Sequence, residues 1–304
     1  MRVLLVDADS KAGFPNLVLM KLSAYYKSIG AAVDLLKGIP SCSPLEEPDL
    51  VFISVIFEKN RAHVLDYEKQ FRCPVRIGGS GFNLASELSY EIEHMMPDYA
   101  LYGVDFSMGF TSRGCVRHCG FCIVPEKEGL IRDNAPIAEF WNPEHSKLIL
   151  LDNNFGASPR WRENAEYIQQ YGLKVNFNQG LDIRLMTEEF AGVLADLRYY
   201  NWRFKTRGLY FAFDSMNVED AVVHGVDLLS GAGIPRRHLM FYILAGYDTT
   251  EQEDLCRIEI VKGLGAIPYV MPYNGAHIPA ARWANRRYYQ FVPYSDYMRV
   301  ADKQ

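Results

Sequence analysis

Short apolar segments alternate with amphipathic segments along almost the whole chain of 304 residues. In the first hundred residues, Asn16 can cap a helix over Leu17–Ser28, and Gly78 and Gly79 follow the last strand candidate. The strand candidates are Arg2–Val6, Val33–Leu36, Leu50–Val55 and Val75–Ile77. Such alternation is typical of a parallel sheet, so it predicts the α/β class, with an N-terminal Rossmann-like parallel sheet over residues 1–100.

The alternation restarts near Tyr102 and continues through the second half of the chain. The strand candidates are Gly109–Ser112, Leu148–Leu151, Lys174–Phe177, Gly208–Phe213, Leu239–Leu244 and Tyr269–Met271. The helix candidates are Pro159–Tyr171, Thr187–Leu197, Val218–Ala232 and Thr250–Leu264. Six such units predict a partial (β/α)6 TIM-type barrel over residues 101–280, followed by a helical and aromatic extension over residues 281–304.

Composition narrows the functional class. Apolar residues make up 49% of the chain, which is enough for a substantial core, and charged residues make up 23%. The net charge of −5 gives no support to a strongly basic nucleic-acid binder. No apolar run approaches the roughly 18 residues that span a bilayer, and the N-terminus is interpreted as a first strand. We therefore expect a cytoplasmic protein without a membrane partner.

Three of the six cysteines lie within eight residues, in the segment Thr111-Ser-Arg-Gly-Cys115-Val-Arg-His-Cys119-Gly-Phe-Cys122. Three thiolates so close together can ligate three irons of a cubane cluster and leave the fourth iron open. A zinc site is an alternative, but it needs a fourth ligand and usually a second cysteine pair. A cluster with four cysteines would need Cys42, Cys73 or Cys256, and none of these has matching local spacing.

This spacing, with an aromatic residue directly before the last cysteine, resembles the signature of the radical S-adenosylmethionine (SAM) superfamily. The resemblance implies a 4Fe–4S cluster held by Cys115, Cys119 and Cys122, with SAM chelating the open iron. It also implies that Phe121 packs against the adenine. In that family, reductive cleavage of SAM yields a 5′-deoxyadenosyl radical, which abstracts hydrogen from the substrate.

The resemblance extends to the ends of four later strands. It implies that Asp152, Asn153 or Asn154 contacts the SAM ammonium group, where the family usually has a glycine-glycine-glutamate motif. The remaining residues expected to bind SAM or substrate are Gln179, Asp182, Arg184, Asp214 and Gly246. Purely structural alternatives stay open: helix caps at Asp152 and Asp214, a surface ion pair between Asp182 and Arg184, and a capping box at Thr249 or Thr250.

The N-terminal half resembles the cobalamin-binding-like domain that precedes the barrel in one radical SAM group. The likeness lies in the segments that begin at Asn16 and at Gly78. None of the seven histidines lies in an Asp-x-His-x-x-Gly motif, which supplies the cobalt ligand in standard domains of this kind. Cobalamin is therefore not expected.

The C-terminal segment from Arg282 to Tyr289 combines arginines with aromatic residues. Such a combination suits phosphates and stacked bases, so a nucleic-acid surface is one interpretation. A final helix that packs Trp283 and Tyr288 against the barrel is the favoured interpretation, because the chain as a whole is acidic.

The resulting expectation is a radical SAM enzyme that abstracts hydrogen from an unidentified substrate. A methyltransferase, mutase or dehydrogenase reaction would fit, with an electron donor such as flavodoxin or ferredoxin. The alternative is a non-catalytic iron–sulfur or zinc-binding module that acts in electron transfer or as a scaffold.

Overall fold

The computed structural model describes residues 1–10, 13–42 and 46–301. The chain divides into two compact units. Unit 1 contains residues 1–110, 123–129 and 134–148, and unit 2 contains residues 111–122, 130–133 and 149–304. Unit 1 thus extends beyond the predicted boundary at residue 100, and the predicted C-terminal extension belongs to unit 2. Within the described ranges, no helix has the length and apolar character needed to cross a bilayer.

Unit 1 is built on a parallel sheet. Its strands are β1 (Arg2–Asp7), β2 (Ala32–Lys37), β3 (Leu50–Ser54), β4 (Val75–Gly78) and β5 (Ser107–Gly109). Its helices are α1 (Leu17–Ser28), α2 (Arg61–Glu68), α3 (Tyr90–Glu93), α4 (Val124–Lys127) and α5 (Ile137–Phe140). The first four strands form one sheet in the order β2-β1-β3-β4, and every neighbouring pair in it is parallel. The predicted α/β class with a parallel sheet is confirmed.

The central strand β1 is buried on both faces of this sheet. Leu4 and Val6 join one apolar cluster, whereas Val3 and Leu5 join another that includes Leu19 of α1. Successive side chains of a strand point to opposite faces, so a continuous apolar run fits a sheet covered on both sides. The predicted cap of α1 is also confirmed, because the Asn16 side chain accepts a hydrogen bond from Leu19 N.

Unit 2 contains the later strand–helix alternation. Its strands are β6 (Ser112–Arg113), β7 (Arg132–Asp133), β9 (Lys174–Phe177), β10 (Arg198–Tyr199), β11 (Leu209–Ala212), β12 (Leu239–Ala245) and β13 (Ile267–Pro272), and β8 (Lys147–Leu150) runs into it from unit 1. Its helices are α6 (Trp161–Gln170), α7 (Glu188–Asp196), α8 (Glu219–Gly231), α9 (Glu251–Gly263), α10 (Ile278–Asn285) and α11 (Tyr294–Ala301).

Two groups of parallel strands form the framework of unit 2. Strands β10, β9 and β8 lie side by side in that order, and β11, β12 and β13 form a second sheet. A parallel bridge between Leu181, shortly after β9, and Phe211 of β11 connects the two groups. The short strands β6 and β7, which flank the cysteine segment, pair in the antiparallel direction.

The C-terminal segment packs in a way that sequence predicted only in part. Trp283 of α10 is fully buried, and its indole Nε1 donates to the carbonyl oxygen of Val292 at 2.8 Å. Tyr289 is buried as well, whereas Tyr288 is 38% exposed. The packing prediction is therefore correct for Trp283 and wrong for Tyr288, because the chain turns after α10 and the neighbouring tyrosine enters the core.

A buried ion pair on α9 joins three strand ends of unit 2. Asp254 and Arg257 pair one turn apart with both side chains at 0% exposure. The Arg257 guanidinium also donates to the carbonyl oxygens of Phe213 and Leu244, at 2.7 and 3.1 Å. Asp254 accepts from the backbone N–H of Gly246 at 3.0 Å, and its Oδ2 lies 2.5 Å from His277 Nδ1. One helix turn thus holds the ends of β11 and β12 and the segment after β13.

Removing one member of this pair would leave a buried charge without its partner. We expect Arg257→Met to lower the free energy of unfolding by about 3–5 kcal/mol, measured by urea denaturation followed by tryptophan fluorescence. The matched control is Lys262→Met on the same helix, where the ion pair with Glu259 is exposed and the change should stay within about 0.5 kcal/mol. Equal effects of the two substitutions would contradict the structural role assigned to Arg257.

Candidate functional site

The predicted cysteine ligands lie on one loop of unit 2. The loop leaves β6 at Arg113, and Cys115, Cys119 and Cys122 along it are each half-buried. None of the six cysteines forms a disulfide, so no such bond competes for these three. The Cys122 backbone N–H donates to the Cys119 carbonyl oxygen at 3.0 Å, which holds the second half of the motif in a tight turn.

The start of the loop is anchored by Asp152, which follows β8. Its Oδ1 accepts from the Thr111 hydroxyl and from both the backbone N–H and the hydroxyl of Ser112, at 2.6, 2.6 and 2.7 Å. Its Oδ2 accepts from the Thr111 backbone N–H at 3.2 Å. Burial raises the pKa of Asp152, and these hydrogen bonds oppose that rise. The carboxylate thus bonds four donors on two consecutive residues.

These hydrogen bonds help to decide between the two interpretations of Asp152, as a helix cap or as a contact of the SAM ammonium group. The helix-cap alternative is wrong, because α6 begins at Trp161 and its N-cap position is Arg160. The carboxylate is only 3% exposed, and both of its oxygens already accept hydrogen bonds from the loop. Asp152 therefore positions the cysteine segment, and its predicted contact with an ammonium group would have to compete with these bonds.

The two asparagines that follow Asp152 contact the cysteine loop directly. Asn153 Oδ1 accepts from the Gly114 backbone N–H at 3.0 Å. Asn154 Nδ2 lies 3.5 Å from the Cys115 sulfur and 3.4 Å from Asp182 Oδ2. Asn154 Oδ1 is buried and has no hydrogen-bond partner among the described residues. A buried acceptor without a donor costs free energy, so this oxygen is a candidate for contact with a ligand.

Asp182, after β9, forms a second anchor. Its Oδ2 lies 2.9 Å from Arg117 Nε within the cysteine loop, and its Oδ1 lies 2.6 Å from Arg184 Nε. Burial alone would raise the pKa of Asp182, but the hydrogen bonds from Arg184 and Arg117 outweigh it and hold the pKa below its usual value. The predicted ion pair with Arg184 is present, but the Asp182 side chain is only 6% exposed, so it is not a surface pair.

Asp214 connects the ends of two neighbouring strands. Its Oδ1 accepts from the Leu244 backbone N–H of β12 at 2.9 Å. The helix-cap alternative is wrong here too, because Ser215 caps the following turn with its own side chain and α8 begins after Val218. Burial raises the pKa of Asp214, while the bond from Leu244 and the nearby arginines lower it. Gln179, the remaining predicted polar residue, is exposed.

Phe121 and the Gly246 turn lie close together, as the resemblance implies. The ring of Tyr247, directly after Gly246, meets the Phe121 ring edge to face at a centroid distance of 5.2 Å. Gly246 has a φ of +77°, and a Cβ there would lie 2.2 Å from Ala276 Cβ, so the position requires glycine. The predicted capping box is confirmed at Thr250, whose side chain exchanges hydrogen bonds with Glu253.

The thiols lie in a mixed electrostatic field. Burial raises the pKa of Cys119, Arg184 lowers it, and the neighbouring Cys122, Cys115 and Asp214 raise it further. Within the described residues, no three side chains of His, Cys, Asp or Glu are placed to hold a single metal ion. The donor set itself fits a cluster, since three thiols share one loop and the backbone N–H of Arg117 and the Asn154 amide both point to the Cys115 sulfur.

Sequence reasoning missed several residues that build this site. Arg117 lies inside the cysteine motif, and its position there was the one signal that could have indicated an anchor. Tyr247 was passed over beside Gly246, although an aromatic residue next to a turn glycine is a recognisable contact candidate. The roles of Thr111 and Ser112 depend on Asp152, which lies 41 and 40 residues away, respectively, so no local pattern reveals them.

No protein-family model matches the chain, and no curated protein is found as a relative. The interpretation of the site therefore depends on its geometry and on the motif that its sequence carries.

In the variant Asp152→Asn, an NH2 group replaces one carboxylate oxygen. Hydrogen-bond donors of the loop would then face another donor instead of an acceptor. We expect Asp152→Asn to lower the free energy of unfolding by about 2–4 kcal/mol, measured by urea denaturation. The control is Glu163→Gln on α6, where the exposed ion pair with Arg160 contributes about 0.5 kcal/mol or less. If Asp152→Asn is as stable as this control, the anchoring role is wrong.

The lowered pKa of Asp182 makes a pH-dependent prediction. Its ionised form stabilises the fold fully above the unfolded pKa of about 3.9, and that contribution is lost as the pH falls through the lower folded pKa. Asp182→Asn should therefore destabilise the protein by about 1–2 kcal/mol at pH 6 and by progressively less below pH 4. The measurement is urea unfolding of both proteins from pH 3 to pH 7; a difference that is constant across this range would contradict it.

Proposed function

We propose that this chain is a radical SAM enzyme in which Cys115, Cys119 and Cys122 hold a 4Fe–4S cluster. The observation that carries the proposal is the anchored cysteine loop. Asp152 ties the start of the loop to the end of β8, and Asp182 ties Arg117 to the end of β9. Functional groups of α/β proteins with parallel sheets gather at the carboxyl ends of the strands, which is where both anchors originate.

When bound, the cluster and SAM would supply a one-electron cleavage that yields a 5′-deoxyadenosyl radical for hydrogen abstraction. The residues of the chain prepare the site for that chemistry. The Arg117 backbone N–H lies 3.3 Å from the Cys115 sulfur, and the Asn154 amide approaches the same atom. Hydrogen bonds to a ligating sulfur stabilise its thiolate form and shift the reduction potential of an iron–sulfur centre.

The same geometry supports different functions for the predicted SAM-binding residues: some position the cysteine loop and others contact SAM. Asp152, Asn153 and Asp182 position the loop, because their carboxylate or carbonyl oxygens accept hydrogen bonds from it. Asn154 Oδ1, which has no partner within the described residues, is an acceptor suited to the SAM ammonium group. The aromatic pair of Phe121 and Tyr247 offers the adenine a contact surface.

Gln179, Arg184 and Asp214 stay proposed contacts for the ribose or the substrate. A buried carboxyl group with a raised pKa, as in Asp214, is typical of functional sites as well as of structural networks. Binding energy from these strand ends would orient the sulfonium for cleavage, so their role is orientation rather than proton transfer.

The fold proposal that accompanies this function is a partial (β/α)6 barrel. The parallel bridge between Leu181 and Phe211 supports it, because it brings the segment after β9 beside β11 and so connects the two strand groups of unit 2. Flavodoxin or ferredoxin is the proposed electron donor, and cobalamin is not part of the proposal. A cytoplasmic location is included, since clustered cysteines without disulfides are typical of reducing compartments.

The cluster can be tested by metal content. Protein purified without oxygen should contain about four irons per chain, as a cubane requires. Replacement of Cys115, Cys119 or Cys122 by Ala should abolish the visible iron–sulfur absorption, because each thiol would ligate one iron. The matched control replaces Cys42, Cys73 and Cys256 together and should retain the iron.

Cluster loss in the control alone would mean that the wrong thiols are assigned. With reductant and SAM, the parent protein should release 5′-deoxyadenosine, detected by chromatography and mass spectrometry. A protein that binds four irons but forms no 5′-deoxyadenosine would favour the alternative of a non-catalytic iron–sulfur module, and stoichiometric zinc would favour a structural zinc site.

A further inference from the structure

One long segment of unit 2 contains no acidic residue. From Ile260 to Ser295, 36 consecutive residues lack Asp and Glu, although the chain has 37 acidic residues in 304, or about one in eight. The segment carries five basic side chains: Lys262, His277, Arg282, Arg286 and Arg287. Lys262 pairs with Glu259 and His277 lies against Asp254, so the local positive charge comes from the three arginines, in a chain whose net charge is −5.

The arginines of this segment face solvent. Arg282 lies on the exposed side of α10 and Arg286 is the C-cap residue one turn later; both are exposed, as is the following Arg287. None of the three makes an ion pair with a residue that the structure describes. By contrast, Arg160, Arg162 and Arg236, elsewhere in unit 2, each pair with a carboxylate. Three neighbouring guanidinium groups without counter-charges suit an anionic partner.

Exposed aromatic rings concentrate in the same segment. Seven large aromatic side chains of the described chain are exposed, and four of them lie between residues 260 and 295. These are Tyr269, Tyr273, Tyr288 and Phe291, with exposed fractions of 41%, 37%, 38% and 81%. An exposed ring offers a face on which a nucleobase can stack, and base stacking on such rings is tolerant of sequence.

We propose that the outer face of α10 and the turn that follows it, formed by Arg282, Arg286, Arg287, Tyr288 and Phe291, binds single-stranded nucleic acid. Unpaired arginines would contact the phosphates, and the aromatic rings would stack with unpaired bases. An anionic membrane is the weaker fit, since an interfacial helix needs an exposed apolar face. The apolar face of α10, including Ala280, Ala281 and Trp283, is buried.

A row of aromatic rings leads from this segment to the cysteine loop. The Tyr273 and Tyr247 rings meet at a centroid distance of 4.9 Å, and Tyr247 meets Phe121, directly before Cys122, at 5.2 Å. Tyr273 of this segment thus contacts the ring pair next to the proposed cluster, and on the proposed function we infer that a nucleotide of the bound strand is the substrate. The binding surface is independent of the proposed function, whereas this assignment of the substrate rests on it.

The test is fluorescence anisotropy with the full chain and a fluorescein-labelled oligouridylate of about 16 nucleotides, without SAM or reductant. The parent protein should bind the strand, and the triple variant Arg282→Gln, Arg286→Gln, Arg287→Gln should bind at least tenfold more weakly in 50 mM salt. The slope of log affinity against log salt concentration should become shallower by about 2, because each of the three lost phosphate contacts contributes roughly 0.7 to it. Phe291→Ala should weaken binding about threefold to tenfold and leave the salt slope unchanged, because stacking releases no counterions.

The matched control replaces Arg160, Arg162 and Arg236 by Gln, which removes the same charge from paired arginines of unit 2 and should change affinity less than twofold. Equal loss in the two triple variants would overturn the proposal, because net charge alone would then explain binding. A parent protein that binds vesicles of phosphatidylserine but not the strand would overturn it in favour of a membrane surface. If the protein binds the strand but forms no 5′-deoxyadenosine, the binding surface is supported and the proposed enzyme is rejected. If it forms 5′-deoxyadenosine but does not bind the strand, the proposed enzyme is supported and the binding surface is rejected.

Discussion

The cysteine loop depends on one buried carboxylate. Asp152 collects four hydrogen bonds from Thr111 and Ser112, directly before the loop begins. A charge removed from water is tolerated only where donors replace its hydration, so the interaction leaves the two residues little freedom to move separately from the end of β8. Asp182 repeats this arrangement in the middle of the loop, where it binds Arg117. The glycine-containing segment is thereby fixed at two points, by side chains that follow two different strands.

The helices and strands were predictable because the local sequence patterns that favour them agree with the burial that each one has in the fold. The helix Leu17–Ser28 and the strand Lys174–Phe177 have the predicted bounds, and most other elements differ from prediction by one or two residues. The predicted strand Gly109–Ser112 is wrong, because β5 ends at Gly109 and β6 begins only at Ser112. Each has an apolar pattern of the correct period and a cap or a glycine at its end. Tyr288 and Tyr289 show where this reasoning stops. Both are aromatic, and which one enters the core is decided by the turn after α10 rather than by either residue.

The sequence was enough to predict which residues belong to the candidate site, but not what each of them does there. The strand-end position of Asp152, Asp182 and Asp214 is visible in sequence, because polar residues follow apolar runs. Which donors each carboxylate meets is decided by contacts 28 to 65 residues apart, and these are invisible to local patterns. Asp182 illustrates the consequence: sequence suggests a surface pair with its neighbour Arg184, while a more distant arginine and burial make it an interior anchor.

The hydrogen-bond network around Asp254 has a mechanical consequence. Its carboxylate bonds the Gly246 turn and approaches His277, and its partner Arg257 bonds the carbonyl oxygens of Phe213 and Leu244. These hydrogen bonds all meet at the buried pair of Asp254 and Arg257. The Gly246 turn therefore cannot shift without stretching hydrogen bonds to the neighbouring strand ends. A ligand that orders the Gly246 turn therefore also stiffens the segment at His277, which leads into α10. Rigidity gained at the turn is in this way shared with a helix that contributes no atom to it.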